Sequence, residues 1–173
     1  MSHTINVQIL DRGCAAGDSY AAKHATGEPK AAVVSCEGAC IKGEVARRAA
    51  NVITHELAPE RAVRICHGGG FLLTQGGMRE LVEQAEQVVV VDGCSLVCGT
   101  RLAKAAFPEK ELDTVVANSF YVGDEALFGV NELADEEINA KARQVAKQIL
   151  AKHLTEGEPC GETTFPVACG ACP

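Results

Sequence analysis

The sequence predicts an α/β protein in which a mostly parallel sheet of about four to five strands carries helices on both faces, in three layers. Three observations predict it. From Lys30 onward, short apolar runs alternate with stretches of helical spacing. The tetrad Val88-Val89-Val90-Val91 is unbroken, as suits a strand covered on both faces. The chain has 173 residues, 47% of them hydrophobic and 23% charged, which is the size and composition of one globular domain with its own core.

Residues 1–29 read as an N-terminal arm in which Ile5, Val7 and Ile9 alternate like one edge strand, the rest being an aperiodic mixture of Gly, Ala and polar residues. Residues 31–35 form a short buried-strand run. Ile41, Val45, Ala49, Val52, Ile53 and Leu57 then recur at helical spacing, and Pro59 closes that helix. Residues 62–66 make a second strand run, which enters the glycines 68–70 and 76–77, a loop whose N–H groups could cradle an anion. A helix carrying Met78, Leu81, Val82 and Ala85 follows. Beyond the valine tetrad the chain passes through Asp92-Gly93-Cys94 to a helix over about 96–106, which stops before Pro108. Residues 114–117 read as a further strand. The last helix, 135–153, sets Ile138, Ala142, Val145, Ala146 and Ile149 on one stripe. Residues 30–154 therefore form the α/β domain, with a Rossmann- or flavodoxin-like layout, and 155–173 form a tail without period.

Charge and composition exclude several functions. A net charge of -7 gives no electrostatic reason to attract nucleic acid or an anionic membrane, and 4% aromatics with no Trp offer no base-stacking platform. No run approaches the roughly 18 to 20 apolar residues of a membrane span. The first residues show no secretory apolar region, so the expected location is the cytoplasm.

The unusual feature is nine cysteines, which in such a chain suit thiolate chemistry or metal binding better than a disulfide framework. Cys36, Cys66 and Cys94 stand where three predicted strands end, and in an open parallel sheet those ends share the edge where ligands bind. Cys40 and Cys98 follow Cys36 and Cys94 by four residues, a spacing that aims both sulfurs to one side within the first turn of a helix. The expectation is a convergence of up to five thiols. A helix N-terminus favours thiolate over thiol, and several thiolates together need a cation between them. Zinc, which takes four sulfurs tetrahedrally at about 2.3 Å, is the default; an iron–sulfur cluster uses the same ligands. A redox-active dithiol and inert buried thiols are the competing readings. The glycines match no nucleotide-binding fingerprint, and Ser, His and Asp show no nucleophile elbow.

The run from Cys36-Glu37-Gly38-Ala39 through Gly43-Glu44, Cys66 with its following glycines, and Val89-Val90-Val91-Asp92-Gly93-Cys94 with Cys98 resemble the DGC-domain family of bacterial and archaeal proteins over about residues 30–150. The resemblance implies that Cys36, Cys66, Cys94 and Cys98 hold zinc, and brings no established reaction. The chain departs from the family pattern at Cys40, a fifth sulfur able to compete for the metal or form a disulfide. It departs again at His67, an alternative ligand, and over residues 116–120. Asp92 has two readings, a carboxylate that accepts backbone N–H bonds and shapes the Cys94 loop, or a group beside a metal site. Gly38 and Gly93 are loop glycines, and Gly93 permits a turn that a Cβ would block. Cys169 and Cys172 form a Cys-x-x-Cys that Cys14 or Cys160 completes if the termini meet; otherwise the tail thiols do nothing specific. His24, His55 and His153 are expected on the solvated surface.

Overall fold

A computed structural model describes residues 5–25, 27, 30–123 and 127–154. The elements, in chain order, are α1 (Ala15–His24), β1 (Ala31–Ser35), α2 (Ile41–Val52), β2 (Ala62–Arg64), α3 (His67–Phe71), α4 (Gly77–Gln84), β3 (Val88–Asp92), α5 (Cys98–Ala106), β4 (Asp113–Val116) and α6 (Asp135–His153). The strands form one parallel sheet of four in the order β2-β1-β3-β4. Every strand and helix expected after Lys30 is present, because each rests on a local period that burial on both sides of the sheet enforces.

Alternation along the strands divides the core in two. Val33, Val89, Val91 and Val115 face α2 and α6, whereas Ala32, Val34, Val63, Val88 and Val90 face α3, α4 and α5. The order 2-1-3-4 therefore reverses its winding between β1 and β3. The connection leaving β1 climbs to α2 on one face, and the connection leaving β3 climbs to α5 on the other. That divergence is the topological switch point, where open α/β sheets carry their sites.

The helix closed by Pro59 ends in a π-helical turn, Ile53–Leu57, in which Thr54 is buried and donates its hydroxyl to the Ala50 carbonyl at 2.9 Å. Across the layer, α2 is tied to α6. Glu44 accepts from Arg47 Nε at 2.8 Å and from Arg48 Nε at 2.7 Å, and Arg48 also reaches Asn139 Oδ1 and Asp135 Oδ1, both at 2.7 Å. The two arginines hold the Glu44 carboxyl below its ordinary range, the Arg47 bond contributing most. A depressed folded-state pKa gives stabilisation that is complete above the unfolded Glu range and is lost as the pH falls through the depressed value. The expected contribution is on the order of 1 kcal/mol. Urea midpoints of the wild type and of Glu44→Gln, measured from neutral pH downward, should differ most at neutrality and converge in acid; a constant difference would show that the charge is immaterial.

Four expectations are corrected. The arm read over 1–29 contains a helix, α1, whose buried residues are only Gly17 and Ala21. It lacks a stripe of large apolar side chains and is held by close approach to α4, where a Cβ on Gly77 would stand 2.5 Å from Ala21 Cβ. Ile5, Val7 and Ile9 form no edge strand. They are exposed, and only Leu10 makes a bridge, parallel to Leu73. The glycines 68–70 and 76–77 form no anion-cradling loop, because 68–70 lie in the helical turn α3 and their N–H groups are taken, Gly69 N by Cys66 Sγ at 3.2 Å and Gly70 N by the Cys66 carbonyl at 2.9 Å, while Gly77 N donates to Asp18 Oδ1 at 2.8 Å. His153 is not solvated: its side chain is 13% exposed, and Nδ1 lies 2.9 Å from Asp113 Oδ2. Among the described residues, no helix is long and apolar enough to cross a membrane. Cys160, Cys169 and Cys172 lie outside the described residues.

Candidate metal centre

The C-terminal ends of β2, β1 and β3 are neighbours, and each hands on a cysteine: Cys66, Cys36 and Cys94 in sheet order. Cys36 extends the β1 ladder, its N–H bonded to the Val91 carbonyl at 2.8 Å, which sets it beside Asp92-Gly93-Cys94. The four-residue spacings do not fall within single helical turns as expected. Cys36 and Cys94 lie in strand-to-helix connections, while Cys40 caps α2 and Cys98 opens α5, because the chain first turns across the sheet edge.

Three thiols cap helices in the same manner. Cys14 accepts from Gly17 N at 3.3 Å, Cys40 from Gly43 N at 3.4 Å, and Cys66 from Gly69 N at 3.2 Å. The repeated Cys-x-x-Gly is a legible sequence signal that the strand-end reasoning passed over. It has a steric basis, since a Cβ on Gly17 or Gly69 would sit 3.1 Å from the capping sulfur. Cys36 accepts from Gly38 N at 3.4 Å, and Cys98 lies 3.7 Å from Arg101 Nη2. Burial pushes the Cys36 thiol up; N–H groups of Gly38 and Gly93 oppose this, and the charges of Asp92 and Cys40 add to it. A cation must therefore displace a proton there.

Asp92 accepts backbone N–H bonds, as the first of its two readings expects, but from the first turn of α5 and not from the turn at Cys94. It is 1% exposed, and its Oδ1 accepts from Gly99 N at 2.7 Å while Oδ2 accepts from Thr100 N at 3.0 Å and Thr100 Oγ1 at 2.7 Å. The carboxylate thus fixes the first turn of α5, and with it Cys98. The preceding residue, Val97, is the one non-glycine among the described residues at positive φ, 45°, a conformation a β-branched side chain adopts only under constraint. It carries the chain from Cys94 into that turn, with Leu96 65% exposed.

The glycines let backbones meet. A Cβ on Gly93 would stand 2.7 Å from Gly43 N and from Lys42 C and O, and a Cβ on Gly43 would stand 2.7 Å from Gly38 O. The Cys36–Cys40 connection, the first turn of α2 and the Asp92–Cys94 turn therefore close on one another across the switch point.

Arg64 carries no signal in the sequence, yet it braces this edge. Its side chain is 13% exposed, and Nη2 donates to Ser35 Oγ and Glu37 Oε1, both at 2.6 Å, while Nε donates to Asn51 Oδ1 at 3.1 Å. Nη1 donates to the Ile65 carbonyl. This cation pins the start of the Cys36 connection to β2. No period marks it, since its partners come from distant segments. His67 stacks on Phe71 with ring centroids 5.4 Å apart. Burial lowers its pKa, against the opposing charge of Glu37, and its Nε2 is buried without a hydrogen-bond partner among the described residues.

All described cysteines are free thiols. Cys36, Cys40, Cys66, Cys94 and Cys98 follow the strand ends of one edge without closing on one point: among the described residues, no three His, Cys, Asp or Glu side chains stand together so as to hold a metal ion. No curated protein and no solved structure matches the chain. A family model described as DGC domain matches residues 32–145, well over half of the 173 residues. That span runs from β1 into α6 and takes in Cys36, Cys40, Cys66, Cys94 and Cys98 together with the Asp92-Gly93-Cys94 turn, so the chain belongs to the DGC domain family.

Proposed function

We propose that the protein is a cytoplasmic zinc-binding protein that holds the ion through the thiolates of Cys36, Cys66, Cys94 and Cys98, acting in metal handling, sensing or interaction. The observation that carries this reading is the delivery of cysteines to one sheet edge by three adjacent parallel strands, at the switch point. The donor set suits a thiophilic ion in kind, and each of Cys36 and Cys66 accepts one backbone N–H, which leaves sulfur lone pairs for a cation. His67, with its buried unpartnered Nε2, is the reserve donor. Four thiolates would supply zinc with a closed shell, so the ion would serve binding or sensing before hydrolysis. The ligand in this reading is a metal ion, not nucleic acid or a membrane, in keeping with the net charge of -7.

Metal analysis and an absorption spectrum of protein purified reduced and without air provide the test. About one colourless zinc per chain is expected. Serine at Cys36, Cys66, Cys94 or Cys98 should each lower that stoichiometry severalfold, and Cys40→Ser should leave it nearly unchanged. A coloured protein points to an iron–sulfur cluster, and a metal-free protein ends the proposal. Loss of metal in Cys40→Ser with retention in Cys66→Ser would overturn the ligand assignment and turn attention to His67. The chelated protein should still melt cooperatively, because both faces of the sheet are buried without the ion.

A further inference from the structure

We propose that Cys36 and Cys40 are a modification site: the two thiols close into a reversible disulfide across Gly38 when the protein meets a low-molecular-weight disulfide. Both sulfurs flank one point. A Cβ built on Gly38 would lie 3.2 Å from Cys36 Sγ and 4.0 Å from Cys40 Sγ, and those are its only neighbours within 4 Å. The ends of the connection are anchored, Cys36 by its N–H bond to the Val91 carbonyl at 2.8 Å and Cys40 by its bridge to Gly129. Between them Glu37, Gly38 and Ala39 are exposed, so a reagent reaches the pair from solvent. Gly38 offers no side chain to resist closure. The contacts that closure must displace are single N–H···S bonds from Gly38 and Gly43, at 3.4 Å each, to a weak acceptor.

The exchange runs in two steps. The Cys40 sulfur, at the N-terminus of α2, attacks one sulfur of the reagent as thiolate; a protein–reagent S–S bond forms, the reagent's S–S bond breaks, and one thiol leaves with a proton. The Cys36 sulfur, having given up its proton, then attacks the Cys40 sulfur and expels the second thiol. The protein loses two hydrogens and the reagent is reduced to two thiols. A ring so short constrains little chain, so the bond is a labile one that thiols reopen. Its consequence rests on the zinc reading: oxidation withdraws Cys36 from the metal and releases it. The disulfide itself does not depend on that reading.

The reduced, metal-stripped full chain is incubated with glutathione disulfide, alkylated with iodoacetamide and cut with trypsin. Cleavage after Lys30 and Lys42 places both cysteines in the single peptide 31–42. The expected product is that peptide unalkylated and two hydrogens lighter than its dithiol form, with both alkylation sites restored by dithiothreitol. Cys40→Ser should lose the internal bond, and Cys94→Ser should keep it. A doubly alkylated peptide, glutathione on both residues, or Cys36 joined to Cys66 or Cys94 would overturn the proposal. Zinc is measured on the protein before stripping. A disulfide in a chain that never held zinc sinks the metal reading alone, and bound zinc with a peptide that always alkylates twice sinks the disulfide alone.

Discussion

Asp92→Ala should be among the most destabilised single variants of this protein, losing about 3 to 5 kcal/mol in urea unfolding. The carboxylate is 1% exposed, and its two oxygens accept from Gly99 N, Thr100 N and Thr100 Oγ1 at 2.7 to 3.0 Å. Removing it leaves buried N–H groups at the head of α5 without acceptors, each at a cost of about 1 to 3 kcal/mol, and leaves a cavity besides. Asp92→Asn keeps the volume but turns an amide donor toward donors, so it should recover only part of the loss. Thr100→Val removes the hydroxyl bond alone and should cost about 1 kcal/mol. If Asp92→Ala unfolded within about 1 kcal/mol of the wild type, the capping role would be wrong, and Asp92 would have to be sought in the chemistry of the site instead. If the protein holds zinc as proposed, the same variant should also lower its metal content, because Cys98 sits on the turn that Asp92 fixes.

Gly93→Ala is the second large effect, at the upper end of the roughly 1 to 3 kcal/mol of ordinary overpacking or beyond it. The added Cβ would meet Gly43 N and Lys42 C and O at 2.7 Å, all of them backbone, and no rotamer change moves them aside. The α2 turn and the Asp92–Cys94 turn would have to part. Two other glycines calibrate the measurement. At Gly68, in α3, a Cβ meets nothing within 4 Å, so alanine there should be neutral or stabilising by about 0.5 to 1 kcal/mol. At Gly38 it meets only the two cysteine sulfurs, at 3.2 and 4.0 Å, and the effect on stability should be mild. A wild-type urea midpoint for Gly93→Ala would falsify the close backbone approach at the switch point.

These two residues stand in the Asp92-Gly93-Cys94 run that the sequence made conspicuous, yet their work is first to hold the edge together. The aspartate builds the helix start that presents Cys98, and the glycine admits the α2 turn that presents Cys40. Chemistry at this edge therefore depends on a frame of backbone contacts, with Arg64 bracing it from β2 through Ser35 and Glu37.

By itself the sequence determined the layered α/β fold, the order of its strands and helices after Lys30, and the delivery of Cys36, Cys66 and Cys94 to strand ends. These are written in short-range periods, two along a buried strand and 3.6 along a helix, which need only neighbouring residues to be read. Tertiary structure alone decided what depends on distant segments meeting. Helix α1, with two small buried residues, acquires its face only against α4. Glycines 68–70 lie in the helical turn α3, where Gly69 meets Met78 and Gly70 meets Ile65, contacts made only in the folded chain. Asp92 was legible as important from its place in the motif, but its choice of the α5 N–H groups required the turn at Val97 to be seen. The side-chain positions of the thiols were the least legible. A residue's place at a strand end is set by backbone register, whereas its sulfur turns about χ1 toward whichever N–H lies nearest, and at this edge those donors are the glycines of the next turn.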